Sequence, residues 1–294
     1  MKNLKIGPLI TSIVTPFDEA SRVDTISLDQ LLTHVKNDCR GGVLVTGITG
    51  EGTTLNSIER LRMWENVVDF IGEEHVIIAS AGTDNTKTTI HNVQLAEEVD
   101  IDVVLLAVPY YTQPTQRGIL AHFETVAKAT HLPILIYHAP KRCGINLTIE
   151  TTVALSNINN VIGIVDESRN LDILKHAKAH LPDDFLIFGA YDYQLIDVLK
   201  LKGDGIISTA NAFAPCALNK IITCVKGEKI DEAQALSKTL IPLFQEISVN
   251  GNPAPVKSLL NKKGFSVGNV RLPMVSLSSK EQDGIWQKVA HLIE

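Results

Sequence analysis

Eight short apolar segments recur along the chain, and they constrain its fold more than any other feature. Each is rich in Val, Ile and Leu and has the length of a strand. They cover residues 9–14, 42–45, 76–79, 103–107, 134–137, 161–165, 185–188 and 205–207. Apolar residues follow one another in these segments instead of alternating with polar ones, which is typical of strands buried on both faces. We therefore expect a parallel sheet.

The intervals between these segments carry helical patterns. Apolar side chains recur on one face in Leu28, Leu31, Leu32 and Val35, and again in Ile119, Phe123 and Val126. Eight alternating strand and helix units favour an α/β fold that closes into a (β/α)8 TIM barrel, with a doubly wound open sheet as the alternative. After residue 215 only helices are indicated, over 230–247, 253–263 and 279–293. The sequence thus predicts a barrel over residues 1–224 and a C-terminal helical extension over 225–294.

Composition narrows the classes of function. The 294 residues include 27 Lys and Arg against 33 Asp and Glu, and this acidic balance argues against a nucleic-acid partner. No segment reaches the ~18 apolar residues that a membrane span needs. Pro8 and Pro16 interrupt the one segment that resembles a signal peptide, so we expect a cytoplasmic protein.

Cofactor and metal motifs are not indicated either. The four cysteines show no CxxC spacing, and the glycines form no phosphate-binding loop. His176 and His180 have a spacing that can hold a metal on a helix, but no third ligand accompanies them. We expect no cofactor and no metal, which leaves small molecules or proteins as partners.

Barrel enzymes carry their chemistry where the strands end, at the carboxyl face. Six motifs lie at such positions or in the extension, namely Gly47-Ile48-Thr49-Gly50-Glu51 with Thr54-Leu55, Pro109-Tyr110-Tyr111, Tyr137-His138-Ala139-Pro140-Lys141-Arg142, Gly163-Ile164-Val165-Asp166-Glu167-Ser168, Gly205-Ile206-Ile207-Ser208, and Asn252-Pro253 with Lys257. In this order they resemble the dihydrodipicolinate synthase and N-acetylneuraminate lyase family of pyruvate-dependent aldolases. The resemblance runs from residue 9 to residue 273.

The resemblance implies a lysine at the end of the sixth strand that forms a Schiff base with pyruvate. The reaction needs an amine there, because an iminium acidifies the adjacent carbon far more than a ketone does. In this chain the matching position is Val165. Valine has no lone pair and cannot form the adduct.

A second departure falls in the first motif. The resemblance implies a proton relay in which a hydroxyl residue joins two tyrosines. Tyr137 matches the relay tyrosine of the fifth strand, and Tyr111 matches the one that a neighbouring subunit provides. The joining position is Ile48, which cannot pass a proton. Two losses in one mechanism favour a homologue that has abandoned the ancestral reaction.

Three further residues match ligand-binding positions of the family. Arg142 matches an arginine that binds a substrate carboxylate, and a guanidinium suits that role because it can hold both oxygens. Thr49 matches a hydrogen-bond partner of a pyruvate-like carboxylate, and Ile207 a position whose backbone carbonyl faces the ligand. The alternatives are an ion pair or a solvated charge for Arg142, and strand-end capping for Thr49. The implied ligand is a small acidic 2-oxo compound, and the implied assembly is a homotetramer built as a dimer of dimers.

Three functions remain open at this point. The first is a catalytically impaired homologue that binds a 2-oxo acid. The second is an active lyase or aldolase that uses another lysine, with Lys141 as the nearest candidate by chain position and Lys202 behind it. The third is a non-catalytic subunit of a mixed oligomer, which lends Tyr111 to a catalytic partner.

Overall fold

The strands of this protein close into a parallel barrel. A computed structural model describes residues 5–39, 41–169, 171–248 and 253–294. Its strands neighbour one another in chain order from the first to the eighth. They are β1 Leu9–Ser12, β2 Gly42–Val45, β3 Ile77–Ser80, β4 Val103–Ala107, β5 Ile134–His138, β6 Val161–Asp166, β7 Leu186–Gly189 and β8 Gly205–Ser208. The predicted (β/α)8 barrel is confirmed, and the open-sheet alternative is wrong.

The strand bounds differ from the predicted ones where polar residues continue the ladder. The apolar pattern ends at Tyr137 and Val165, but β5 and β6 each continue by one residue. His138 and Asp166, the added residues, are register partners of each other. A pattern based on hydrophobicity misses them because the two side chains are polar although both are buried.

Helices follow the strands as predicted. They are α1 Thr25–Asp38, α2 Ser57–Ile71, α3 Thr86–Glu98, α4 Gln116–Ala127, α5 Pro140–Cys143, α6 Ile149–Ser156, α7 Asp172–Ala177, α8 Leu195–Lys200, α9 Pro215–Lys226, α10 Ile230–Ser248, α11 Ala254–Lys263 and α12 Ser279–Val289. The apolar faces predicted for α1 and α4 are buried. The last helix ends earlier than the predicted residue 293, and a short 3-10 turn, Ala290–Leu292, follows it.

The described residues form two compact units. One comprises those up to Ile77 together with those from Ser208 onward, and the other comprises Ile78–Ile207. The predicted boundary between residues 224 and 225 stays a prediction. Asn252, which belongs to the last of the six motifs, lies outside the described residues.

Two expected absences concern the membrane and metals. Among the described helices, none is long and apolar enough to cross a membrane. Within the same residues, no group of three His, Cys, Asp or Glu side chains could hold a metal ion. His176 belongs to α7, whereas His180 lies in the 3-10 turn that follows, so the two do not share one continuous α-helix.

Candidate functional site

The carboxyl ends of β5 and β6 bring Tyr137, Val165 and Glu167 side by side. The first two are positions that the resemblance singles out, and Glu167 belongs to the same motif as Val165. Tyr137 on β5 is the register partner of Val165 on β6, so the two side chains leave the sheet on the same face. Val165 is fully buried and also pairs with Phe188 on β7. Glu167 follows β6 directly and lies two residues beyond Val165, which puts it on that same face.

Glu167 joins the two predicted residues of this region. The Tyr137 hydroxyl donates a hydrogen bond to Oε2 of Glu167. Nε of Arg142 donates to both carboxylate oxygens, at 3.0 Å from Oε1 and 2.9 Å from Oε2. The backbone N–H of Glu167 donates to the carbonyl of His138 at 2.8 Å and continues the ladder. The resulting cluster of Tyr137, Arg142 and Glu167 is called the arginine pair site below.

The short helix α5 positions Arg142. Pro140 starts it, where the missing N–H costs no hydrogen bond, and Gly144 ends it in the left-handed region at φ 73°. A Cβ at Gly144 would meet only the flexible end of the Gln113 side chain, so the positive φ is what favours glycine in this turn. The helix therefore holds Arg142 close behind the end of β5.

The two charged side chains of this site differ in exposure. The Glu167 side chain is 9% exposed, whereas that of Arg142 is 50% exposed. Within the described part of the chain, the guanidinium makes no hydrogen bond other than those from Nε to Glu167. Because a guanidinium carries five N–H donors, its Nη edge remains able to bind an acidic ligand.

Burial and charge fix the protonation states here. Burial, then the negative charge of Glu167, raise the pKa of Tyr137 well above its usual value, so the hydroxyl is a proton donor. Burial lowers the pKa of Arg142, but the adjacent Glu167 outweighs this and the pKa ends above its usual value. The same two causes, burial and Glu167, raise the pKa of Tyr191. Arg142 is therefore a cation, and the tyrosines beside it are neutral.

A second buried pair lies on the other face of the same strands. Nδ1 of His138 is 2.8 Å from Oδ1 of Asp166, and both side chains are almost fully buried. The Leu147 N–H donates to Nε2 of His138, which assigns the ring proton to Nδ1. Ser168 donates to Asp166 through its N–H and its hydroxyl. The contact between His138 and Asp166 ties the ends of β5 and β6 together.

The remaining predicted site residues are not part of the arginine pair site. Thr49 is buried, with its hydroxyl 3.4 Å from that of Thr209. Ile48 is half-buried, and Ile207 is buried at the end of β8. Tyr111 is 89% exposed and has a φ of 65°. The roles that the resemblance implies for these four residues stay predictions.

Sequence reasoning missed a buried lysine. Lys141 and Lys202, the alternative nucleophiles, are both exposed. Lys257 in α11, however, has a side chain only 2% exposed, and its Nζ lies 2.7 Å from Oε1 of Glu51. Burial lowers the pKa of Lys257 to about 8, although the charge of Glu51 acts in the opposite direction. Lys257 lies in α11, so a prediction confined to lysines at the strand ends does not reach it.

Comparisons with known proteins decide the family. Residues 5–292 match the dihydrodipicolinate synthetase family. The chain belongs to this family. The relatives of this dihydrodipicolinate synthetase family member include a 4-hydroxy-tetrahydrodipicolinate synthase 1 of Halalkalibacterium halodurans, 33% identical over 279 residues, which are 95% of each chain. The synthase of Heliobacterium modesticaldum is 35% identical over 287 residues, 97% of this chain and 95% of that protein.

Solved structures of the family have the same fold. The dihydrodipicolinate synthase of Bacillus anthracis gives a TM-score of 0.95 at 29% identity and covers 99% of both chains. The synthase of Acinetobacter baumannii, solved in complex with pyruvate, gives 0.91 at 27% identity and covers 98% of both chains. The resemblance that the motifs indicate is thereby confirmed, and it places the chain in a family of lyases.

Proposed function

We propose that this chain binds a small acidic 2-oxo compound without forming a Schiff base at the end of β6. One observation carries the proposal, namely the fully buried Val165 beside Tyr137. An aliphatic side chain provides no amine for an adduct. The chain is then a catalytically impaired member of its family.

The ligand class is supported by the arginine pair site and by one relative. The Nη edge of Arg142 suits a carboxylate because two parallel hydrogen bonds can form. The Acinetobacter baumannii relative was solved with pyruvate, an acid of this class. Tyr137 would have to release its hydrogen bond to Glu167 in order to donate one to the same ligand. The family resemblance adds Thr49 and Ile207 as expected contacts. Of the proton relay that the resemblance implies, this chain keeps the two tyrosines, Tyr111 and Tyr137.

The alternative of an active lyase needs another lysine. Lys257 has the lowered pKa that suits a nucleophile. Its amine, however, already contacts Glu51, donates to the carbonyl of Asn269 at 2.8 Å and lies 4.0 Å from the ring centre of Phe17. A ketone has no access to a nitrogen enclosed in this way. Lys141 and Lys202 are exposed and lack the desolvation that would activate them.

The assembly and the compartment belong to the same proposal. We expect a cytoplasmic homotetramer, arranged as a dimer of dimers, on the strength of the family resemblance. The exposure of Tyr111 is compatible with its contacting a neighbouring subunit. The same exposure suits the alternative of a non-catalytic subunit in a mixed oligomer, which copurification from the native source would reveal.

Borohydride reduction in the presence of pyruvate tests the central claim. We expect no gain in the intact mass of the wild-type chain. Val165→Lys is the positive control, because it restores an amine at the matching position. A stoichiometric gain in the wild type, mapped to Lys141, Lys202 or Lys257, would overturn the proposal in favour of a relocated nucleophile.

A further inference from the structure

We infer that Glu167 sets the ligand selectivity of the arginine pair site. Its carboxylate, held by Arg142 and Tyr137, disfavours acidic ligands in proportion to their charge, so that it weakens the binding of a dicarboxylic 2-oxo acid more than that of a monocarboxylic one. This inference rests on the proposed function. It concerns which acid the site accepts, not whether it accepts one.

The geometry makes Glu167 a fixed part of the site. Its backbone N–H is bonded to the carbonyl of His138, and its side chain is 9% exposed. The carboxylate accepts hydrogen bonds from the Tyr137 hydroxyl and from Nε of Arg142, which are two of the donors that an acidic ligand would use. The chain itself therefore provides a carboxylate at the position where the resemblance predicts that of the substrate.

The charges of the site give the direction of the effect. Arg142 contributes one positive charge, which the negative charge of Glu167 offsets, and Val165 is uncharged. A ligand carboxylate on the Nη edge is attracted by Arg142 and repelled by Glu167 across the same guanidinium. Because Coulomb energy scales with the product of charges, a dianion meets about twice the repulsion from Glu167 that a monoanion meets at the same distance.

A further cation, Arg169, lies close to this site. It is exposed, and its charge acts to lower the pKa of Tyr191 and of Tyr193. Arg169 can attract a second ligand carboxylate. The Glu167 variants all keep Arg169, so its contribution to the binding free energy cancels when they are compared with the wild type.

Calorimetric titration with pyruvate and with 2-oxoglutarate tests the inference. Glu167→Gln keeps an acceptor for Tyr137 and Arg142 but removes the charge. We expect it to bind 2-oxoglutarate about fourfold more tightly than the wild type, and pyruvate about twofold more tightly, because doubling the repulsion energy squares the factor in affinity. The gain should shrink as salt is added, because the repulsion is screened.

Two matched variants control for other effects. Glu167→Asp keeps the charge and should retain the wild-type ratio of the two affinities. Glu98→Gln makes the same change of charge at the exposed last residue of α3, the helix that precedes β4 and so ends near the amino ends of the strands. It should bind both acids as the wild type does. If thermal unfolding shows that Glu167→Gln does not fold, Glu167→Ala provides the uncharged site.

Each result supports or overturns the inference. A larger gain for 2-oxoglutarate than for pyruvate in the uncharged variants supports it. Equal or weaker binding of both acids would overturn it and make Glu167 a residue that only orients Arg142. That result leaves the proposed function standing, provided that wild type binds pyruvate and Arg142→Ala does not. Failure of wild type and all variants to bind either acid would overturn both.

Discussion

Two pairs of a carboxylate and a cation in this protein have similar distances and different surroundings. Lys257 and Glu51 approach to 2.7 Å, with side chains 2% and 1% exposed. Arg142 and Glu167 approach to 2.9 Å, but the Arg142 side chain is 50% exposed. The first pair is closed to solvent, and the second is open on the side of its cation.

The closed pair is surrounded by its own partners. Phe17 lies against both cations of this region, with its ring centre 4.0 Å from Nζ of Lys257 and 4.2 Å from the guanidinium carbon of Arg271. The Arg271 N–H donates to the second oxygen of Glu51 at 2.8 Å. These contacts satisfy the charges internally, which is what a buried ion pair needs to be tolerated. A lowered lysine pKa is therefore not enough to predict a nucleophile, because the amine must also be accessible.

Introducing a lysine beside the open pair is the strongest test of this contrast. Val165→Lys would place an amine two residues from Glu167, on the face that carries Tyr137. We expect it to form a reducible adduct with pyruvate, whereas Lys257 in the same molecule stays unmodified. Turnover should remain low, because Ile48 stands where the resemblance predicts a relay hydroxyl, and loss of a catalytic group costs about 10⁴ to 10⁶ in rate when groups act as a unit.

The measurement is the rate at which pyruvate condenses with an aldehyde in Val165→Lys and in Val165→Lys with Ile48→Thr. A faster double variant supports the role assigned to Ile48. Equal rates would show that Ile48 is irrelevant, and an adduct mapped to Lys257 would contradict the distinction between the closed and the open pair.

The sequence predicts the fold well because barrel strands are buried on both faces. Continuous apolar runs place β2 and β4 at their observed bounds, and the other strands within two residues. The motifs also predict that Val165 lies near Tyr137 and Arg142, because the resemblance covers both β5 and β6. These features depend on residues that are close in the sequence or on the order of the strands.

The two carboxylate pairs could not be predicted in the same way. Glu167 binds Tyr137 and Arg142 across 30 and 25 residues, and only the β5–β6 register brings them together. The period of two along β6 is a signal that could have placed Glu167 on the face of Val165. Lys257 lies in a helix whose pattern does not distinguish a buried lysine from an exposed one. Its partner Glu51 is 206 positions away in the sequence.

Removing the cation of each pair should lower the free energy of unfolding by clearly different amounts. Lys257→Met leaves the carboxylate of Glu51 buried without its lysine, which we expect to cost about 3 to 5 kcal/mol in the free energy of unfolding. Arg142→Met removes a half-exposed cation and leaves Glu167 bonded to Tyr137, and should cost about 1 kcal/mol or less. Urea denaturation monitored by circular dichroism measures both.

A double variant gives the control for this difference. Lys257→Met with Glu51→Gln removes the unpaired charge and should recover part of the loss. If Arg142→Met proves as costly as Lys257→Met, exposure is not what distinguishes the two pairs.

The closed pair should also change how stability depends on pH. Burial lowers the pKa of Lys257 from 10.5 to about 8, despite the opposing charge of Glu51. Between these two values the unfolded chain holds a proton on this lysine that the folded chain has released. Stability rises with pH wherever the unfolded state binds more protons, so Lys257 should contribute a positive slope of at most about 1.4 kcal/mol per pH unit in that window.

The comparison with Lys257→Met isolates this slope, because other groups titrate in both proteins. We expect the free energy of unfolding of the wild type to rise relative to that of the variant as the pH increases through the window, and the difference to level off below pH 8. Arg142→Met should run parallel to the wild type, since Glu167 raises the pKa of Arg142 beyond this range. Parallel curves for wild type and Lys257→Met would mean that the closed pair holds its proton as an exposed lysine does, and the contrast with the open pair would then rest on accessibility alone.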